Sequence, residues 1–230
     1  SVSGDDSLST FAYEEVASGL AAVWASENTR EALFDAMERK EVYSTTGPRM
    51  TVRFFGGTDY TEQDLHSPDM ARIGYRKGVP MGGDLAAGGK KAPVFMIAAT
   101  RDPDGANLDR IQVVKGWLDK AGKLQERVYN AAMSDGREAD SEGRVEPLAS
   151  TVDPKKATYR NDSGAAELRV LWQDPDFDSA LRSVYYVRVL EIPTPRWTAY
   201  DQAFFGVDIP DHIAKEVQNR AYTSPIWYTP

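Results

Sequence analysis

The chain has 230 residues and a formal net charge of −8 at pH 7, with basic residues interspersed among the acidic ones. This pattern argues against nucleic-acid binding, which needs a clustered positive surface. The absence of cysteine excludes disulfides, thiol nucleophiles and thiolate metal sites. No apolar run is long enough to span a bilayer, so we expect no transmembrane segment. The length is sufficient for one large domain or two small ones.

The first forty residues indicate a frayed start followed by helical structure. Residues 1–10 are small and polar, and the apolar residues between Val16 and Trp24 predict a short helix or strand interrupted by glycine. A helix is predicted from Thr29 to Lys40, because Thr29 or the preceding asparagine can cap it. Its apolar stripe follows helical spacing and should pack against the sandwich or against a neighbouring molecule. The stripe consists of Leu33, Phe34 and Met37.

After Lys40 the pattern changes to alternating apolar and polar residues, with a turn at Thr45–Pro48 and a strand at Met50–Phe55. The other predicted strands are Ala71–Tyr75, Val94–Thr100, Arg110–Lys115, Gln125–Asn130, Glu167–Trp172, Val184–Glu191 and Tyr222–Tyr228. Residues 136–158 predict a long excursion. A late helix is predicted to begin at Pro210, with Ile213, Val217 and Ala221 on its inner face. The fold class is therefore mainly β (α+β overall), an antiparallel β-sandwich of about seven to eight strands.

Two acidic loops are the most suggestive segments for chemistry. The first runs from Asp102 to Asp109 and also contains Asp104, Gly105 and Asn107. Its closely spaced oxygen donors could bind Ca²⁺, although the spacing differs from that of an EF-hand. The alternative is a tight turn whose side chains bond to nearby backbone groups. The second loop contains Asp174, Asp176 and Asp178, and the same two alternatives apply to it.

Neither histidine predicts a metal centre. His66 and His212 are the only histidines and lie far apart in sequence, whereas a hydrolytic zinc site usually takes two or three. We expect both to be exposed or locally hydrogen-bonded. Gly82-Gly83, Gly88-Gly89 and Lys90-Lys91 lack the phosphate-loop frame and predict a mobile hairpin loop. The sequence therefore nominates no catalytic, cofactor-binding or metal-binding residue.

Aromatic residues crowd the last third of the chain. Alternation along residues 185–189 places Tyr185 on the face opposite to Tyr186 and Arg188. Most of these aromatics are expected in the core or at a domain interface, but exposed ones could stack on sugars. The set comprises Tyr185, Tyr186, Trp197, Tyr200, Phe204, Phe205, Tyr222, Trp227 and Tyr228.

Long motifs give the chain a family resemblance. Residues 18–49, which contain Arg30-Glu-Ala-Leu-Phe34 and Tyr43-Ser-Thr-Thr-Gly47, resemble the closing helix and exit turn of a metallohydrolase barrel of the PHP (polymerase and histidinol phosphatase) superfamily. Further segments are similar to an uncharacterised bacterial branch of that superfamily. They are residues 52–55, 78–85, 102–110 with 114–117, 185–197 and 220–228.

The resemblance implies an exported bacterial protein, periplasmic or extracellular, whose barrel precedes this chain and binds divalent transition metals. Its metal motifs, a His-x-His pair and a late Ser-Asp-x-His, do not occur here, so no ligand can be assigned to any residue. Residues 1–49 would then be the last helical piece of the barrel, and residues 50–230 a C-terminal β-sandwich domain. The barrel would be the partner of this chain, and the surface that it covers could otherwise support self-association.

Three functional hypotheses follow. The first is a non-catalytic accessory domain of a metal-dependent, phosphoesterase-like hydrolase, with no cofactor of its own. The alternative is a β-sandwich module that binds a carbohydrate or another cell-envelope ligand through exposed aromatics. An enzyme is the third, because the abundant Asp and Glu residues could supply a carboxylate pair.

Overall fold

The computed structural model describes residues 15–86 and 91–230, and within them the fold is mainly β, as predicted. The helices are α1 Arg30–Glu38, α2 Glu62–Leu65, α3 Met70–Lys77 and α4 Trp197–Phe205. The strands are β1 Leu20–Val23, β2 Val42–Thr45, β3 Thr51–Gly57, β4 Gly78–Pro80, β5 Asp84–Leu85, β6 Val94–Thr100, β7 Leu108–Leu118, β8 Leu124–Met133, β9 Glu167–Gln173, β10 Ser183–Glu191, β11 Thr194–Pro195, β12 Glu216–Val217, β13 Arg220–Thr223 and β14 Ile226–Tyr228.

The larger sheet has eight strands arranged around β10. Strand β7 pairs with β10 along one edge and carries β8 on its other side. Strands β13 and β14 follow one another in the same direction along the opposite edge of β10, and the pairing is interrupted between them at Ser224-Pro225, where the register shifts by one residue. Strands β2 and β1 continue the sheet beyond β13, and β5 pairs in parallel with β14. The predicted strand Tyr222–Tyr228 is therefore two strands.

The smaller sheet has four strands in the order β4-β3-β6-β9, all antiparallel. Its central strand β6 has the predicted bounds, and it pairs along its whole length with both β3 and β9. A third pairing of two residues joins β11 to β12. Residues 136–158 form the predicted excursion, in which Asp153 and Thr158 make an isolated bridge.

The main core lies between the inner faces of the two sheets. The predicted alternation along β10 is confirmed, and it is the face with Tyr185, Val187 and Val189 that enters this core, where all three are fully buried. Phe95 of the smaller sheet packs against the Tyr185 ring, with 4.6 Å between the ring centroids and the ring planes tilted by 44°. Apolar burial on facing sheets is the main source of stability in such a sandwich.

A second core forms on the outer face of the smaller sheet, beneath α2 and α3. The predicted strand Ala71–Tyr75 is wrong, because this segment lies within helix α3. Met70, Ile73 and Gly74 are its buried residues, and their spacing of three and four is that of a helix. A β-carbon at Gly74 would lie 2.6 Å from the Phe55 ring, so a glycine is needed for the helix to pack this closely.

The late helix is also displaced from its predicted position. Residues 210–214 form turns and bends instead of a helix, while Val217 and Ala221 lie on strands. The helix in this region is α4, which begins at Trp197 and ends before Gly206. Gly206 has a φ of 65°, the left-handed conformation that terminates many helices.

Helix α1 confirms the predicted helix, but Phe34 and Met37 of its apolar stripe are exposed and do not pack against the sandwich. The Thr29 hydroxyl caps it by accepting from the Ala32 amide. Its buried residues are Ala32 and Ala36, whereas Phe34 is 64% and Met37 is 56% exposed. Strands β1 and β2, which flank α1, belong to the larger sheet. The division of the chain at residues 49 and 50 stays a prediction.

Candidate functional site

The loop from Asp102 to Asp109 is a turn whose first carboxylate is occupied by protein donors. The Asp102 Oδ2 atom accepts from the backbone amide of Arg49 at 2.6 Å, and Oδ1 accepts from the Asp104 amide at 3.0 Å. The Arg49 guanidinium also pairs with Asp104 at 2.7 Å. Burial alone would raise the pKa of Asp102, but the hydrogen bonds from the Arg49 and Asp104 amides and the Arg49 guanidinium together lower it. The loop thereby fastens the Arg49 turn to the end of the smaller sheet.

Glu191 is a buried acid beside this loop that the sequence analysis did not single out. It is 1% exposed, and its Oε1 atom has no hydrogen-bond partner among the described residues. Burial raises its pKa to about 8, and Asp102 adds to this rise while Asn219 opposes it by hydrogen bonding. The sequence feature that could have identified Glu191 is its position, as an acidic residue at the end of the apolar run that follows Tyr185. The protonated form is the one that suits this environment.

The second acidic loop is joined to the core by a buried ion pair. Lys115 Nζ lies 2.5 Å from Asp174 Oδ2, and both side chains are almost completely buried. The same ammonium donates to the Asp176 carbonyl at 2.8 Å, and the Tyr185 hydroxyl donates to Asp174 Oδ2 at 2.7 Å. Burial raises the pKa of Tyr185, and the charge of Asp174 contributes. The network holds the loop on β7, and only 3% of the Lys115 side chain is exposed.

The last aspartates of the two loops, Asp109 and Asp178, lie in different surroundings. Asp178 is only partly covered and accepts from the Ala180 amide. Asp109 is buried and accepts from Gln218 at 2.8 Å, and it also pairs with Arg110 and Arg137. Neither loop therefore presents a set of unoccupied carboxylates.

The two histidines lie apart on the surface. His66 follows α2, with its Nε2 atom 3.6 Å from the Glu62 carboxylate, and His212 is exposed in the segment before β12. Across residues 15–86 and 91–230, no group of three or more His, Asp or Glu side chains is placed to hold a metal ion. The same residues include no helix long and apolar enough to cross a membrane. The expectation that this chain carries no metal stays a prediction.

The glycine-rich segment is described only in part. Gly82 has a φ of 86° and donates its amide to the Pro225 carbonyl, which fastens this turn to the larger sheet. Gly83 donates to Pro80 in a tight turn. Gly88, Gly89 and Lys90 lie outside the described residues, and Lys91 is exposed.

The late aromatics divide between core and surface. Tyr185 and Tyr228 are buried, whereas Tyr186, Trp197 and Tyr222 are partly buried. The exposed members are Tyr200, Phe204, Phe205 and Trp227.

One aromatic cleft lies at the end of the larger sheet. It has a volume of about 380 Å³, and its walls include Trp117, Leu124 and Trp227. Leu124 and Trp227 are both exposed, so the cleft presents an apolar floor to solvent. Two tryptophans beside one cleft could contact a flat apolar ligand face.

A larger apolar surface surrounds helix α1. A cleft of about 710 Å³ is lined by Leu33, Phe34 and Met37 together with polar residues of the helix start. Met37 also lines a neighbouring cleft of about 530 Å³, which reaches Val23 of β1 and Tyr222 of β13. Because Met37 lines both clefts, we treat them together and call them the α1 face.

Comparison with known proteins places the chain in one family. The family model described as "Protein of unknown function (DUF3604)" matches residues 2–230. No curated protein matches the chain. No solved structure matches it either. Since the family model covers nearly every residue, the chain belongs to the DUF3604 family.

Proposed function

We propose that this chain is a non-catalytic accessory domain that docks on the barrel of a metal-dependent, phosphoesterase-like hydrolase. The observation that carries the proposal is the α1 face, where Phe34 and Met37 extend into solvent from a well-capped helix. The resemblance of residues 18–49 to the closing helix of a PHP-type barrel supports the identity of the partner. Divalent transition metals would be bound by that barrel.

The composition of the α1 face suits a docking surface. Full burial of a side chain such as Phe34 or Met37 contributes about 1.5–3 kcal/mol each. Apolar anchors surrounded by polar groups are typical of interface centres. The rim is supplied by Thr29, Glu31 and Asp35. A partner on this face would therefore bury the side chains that the helix leaves exposed.

Hydroxyl-radical footprinting tests the docking, because it reports the exposure of Phe and Met side chains directly. The 230-residue chain would be compared with the full product of its gene. Docking predicts strong labelling of Phe34 and Met37 in the chain and protection of both in the longer protein. Phe204 of α4, which is 83% exposed, is the matched control and should be labelled equally in both. Equal labelling of Phe34 in both proteins, or a gene that encodes no barrel, contradicts the proposal.

Elemental analysis combined with a hydrolysis panel tests the non-catalytic role. The purified chain should contain no stoichiometric zinc, manganese or iron, and should not hydrolyse phosphomonoesters or phosphodiesters. Turnover with a bound metal would make the chain itself an enzyme and would direct attention to His66, His212 and the acidic loops.

The aromatic cleft favours a second candidate, a module that binds carbohydrate. Trp117 and Trp227 line the same cleft, and exposed indole rings can stack on the apolar face of a sugar. A glycan array would test this function, with Trp227→Ala as the variant and Phe204→Ala as a control for general apolar binding. Glycan binding that survives Trp227→Ala would exclude this cleft as the site.

A further inference from the structure

The outer face of the larger sheet concentrates positive charge, although the chain as a whole is acidic. The inner residues of β10 pack into the main core, so the alternate residues Tyr186 and Arg188 lie on the outer face. By the same alternation Arg110 of β7 and Arg220 of β13 lie on this face. The interspersed charges of the sequence gave no sign of this grouping, because its members are distant along the chain.

The strand register brings the three arginines together. Leu190 lies opposite Arg110 on one side and opposite Arg220 on the other, while Arg188 lies one step along β10 on the same face. Diagonal neighbours across paired strands are about 7–8 Å apart at their backbones. Arg188 therefore stands within this distance of both other arginines, which is within the reach of their side chains.

A fourth arginine completes the group. Arg137 follows β8 and donates to the Asp109 carbonyl at 2.8 Å and to the Glu146 carbonyl at 3.1 Å. Burial lowers the pKa of Arg110, and the charges of Arg137, Arg188 and Arg220 contribute while Asp109 opposes them. The guanidinium group of Arg110 is thus close enough to the other three to be repelled by them.

The acidic residues nearby do not balance this charge. Asp109 pairs with Arg110 and Arg137. Among the described residues Arg188 and Arg220 have no ion pair: Arg188 donates to the Gln112 side chain at 2.8 Å, and Arg220 donates to the Gln218 carbonyl at 3.2 Å. Burial raises the pKa of the Tyr186 hydroxyl on the same face, and the charge of Glu126 adds to this rise. The one ion-paired carboxylate among these four arginines, that of Asp109, therefore serves only Arg110 and Arg137 in the described residues.

We propose that Arg110, Arg137, Arg188 and Arg220 form a binding site for a compact, multiply charged oxyanion, namely a phosphate or sulfate group. Guanidinium groups bind such oxyanions through paired, charge-assisted hydrogen bonds. Arg188 and Arg220 make the direct contacts, because their other partners are neutral. Arg110 and Arg137, which Asp109 holds in place, supply the surrounding positive potential.

Tyrosines beside the site suit a ligand that carries an organic group. Tyr222 lies opposite Arg188 on β13, and its hydroxyl accepts from Arg220 Nη1 at 3.4 Å. Tyr186 occupies the next outward position along β10. Both rings are partly buried, so they offer apolar area next to the charged groups. A phosphate or sulfate ester could therefore use the guanidinium groups and the rings together.

Isothermal titration calorimetry with inorganic phosphate, inorganic sulfate and glucose 6-phosphate tests the site at one fixed ionic strength, because salt screens such contacts. We expect saturable binding, weakened at least about tenfold by the double variant Arg188→Gln/Arg220→Gln. Arg72→Gln is the matched control, since it removes one positive charge from the exposed surface of α3 and should leave the affinity unchanged. Tighter binding of glucose 6-phosphate than of phosphate would identify an ester as the ligand, and equal binding a free ion.

Two results would overturn the proposal. One is the absence of binding to all three ligands by the folded wild-type chain, and the other is unchanged binding in the double variant. If the double variant does not fold, amide chemical shifts of the wild-type chain titrated with phosphate replace it. Shifts centred on Arg188 and Tyr222 support the site, whereas shifts confined to other strands refute it.

Discussion

Replacing Lys115 with methionine would leave the carboxylate of Asp174 buried without its countercharge. The ammonium lies 2.5 Å from that carboxylate, and neither side chain reaches solvent to a useful extent. After the substitution only the Tyr185 hydroxyl and the Asp176 amide would still donate to the carboxylate. The Asp176 carbonyl would lose its bond to the ammonium as well.

The magnitude follows from the burial of the pair. Removing one partner of a buried ion pair costs about 3–5 kcal/mol, because a desolvated charge is left uncompensated. Replacing both partners with apolar residues of similar volume costs much less, since no charge then remains buried. We therefore expect Lys115→Met to cost about 3–5 kcal/mol, and Lys115→Met combined with Asp174→Leu to recover much of that loss.

Urea unfolding followed by tryptophan fluorescence measures these differences, provided that the denaturant slope stays constant. Lys120→Met is the matched control: Lys120 is exposed and its nitrogen lies 4.0 Å from Asp178, so we expect a change below about 0.5 kcal/mol. A loss of less than about 1 kcal/mol for Lys115→Met would refute the reasoning. The same holds if the double variant is destabilised by the sum of the single losses.

Substitutions at three other features of the fold can be tested by the same assay. Glu191 releases its proton near pH 8 in the folded protein but near pH 4.5 in the unfolded chain. The free energy of unfolding should therefore fall by about 3–5 kcal/mol as the pH rises across that window. Glu191→Gln should remove this dependence on pH between pH 5 and pH 8.5. Gly82→Ala should lower the free energy of unfolding by more than about 2 kcal/mol, because the new β-carbon would lie 2.3 Å from a backbone carbonyl oxygen. Gly122→Ala has open space around its β-carbon and should cost only about 1 kcal/mol, for the left-handed backbone. Phe34→Ser should change the unfolding free energy by less than about 0.5 kcal/mol, and Ala36→Leu should lower it by about 1–3 kcal/mol.

Strand positions were predictable where an apolar run or a regular alternation was bounded by turn residues on both flanks. Residues 94–100 form β6 with the predicted bounds, and β10 exceeds its predicted bounds by a single residue. These strands pair on both sides, so their apolar pattern reflects the core directly. Helix α3 was missed because its eight residues contain only three buried ones, and such a short segment fits either period.

Which face of a helix is buried could not be read from the sequence of α1. An apolar stripe normally indicates the inner face, yet here the small residues Ala32 and Ala36 pack inward. Close packing favours small side chains where a helix lies near a sheet, and the pattern cannot distinguish a core from an interface. The α4 helix was missed for a different reason, since aromatic residues have modest helix propensity. The sequence feature that could have located the end of this helix is Gly206.

The candidate sites depend on tertiary register, which composition cannot supply. The acidic loops attracted attention through local density of oxygen donors, but protein donors occupy Asp102 and Asp174. The arginines of the outer face come from β7, β10, β13 and the segment after β8, and no short motif joins them. Only the pairing of these strands brings the arginines together.

The proposed anion site and the α1 face share a boundary at Tyr222. This residue lines the cleft that contains Met37, and its hydroxyl contacts Arg220. A partner docked on the α1 face would exclude water beside Arg220 and lower the local dielectric, which strengthens a guanidinium–oxyanion contact. We therefore expect phosphate to bind more tightly to the full gene product than to the 230-residue chain, and by linkage phosphate should strengthen docking equally. Identical phosphate affinities in calorimetry would show that the two surfaces act independently.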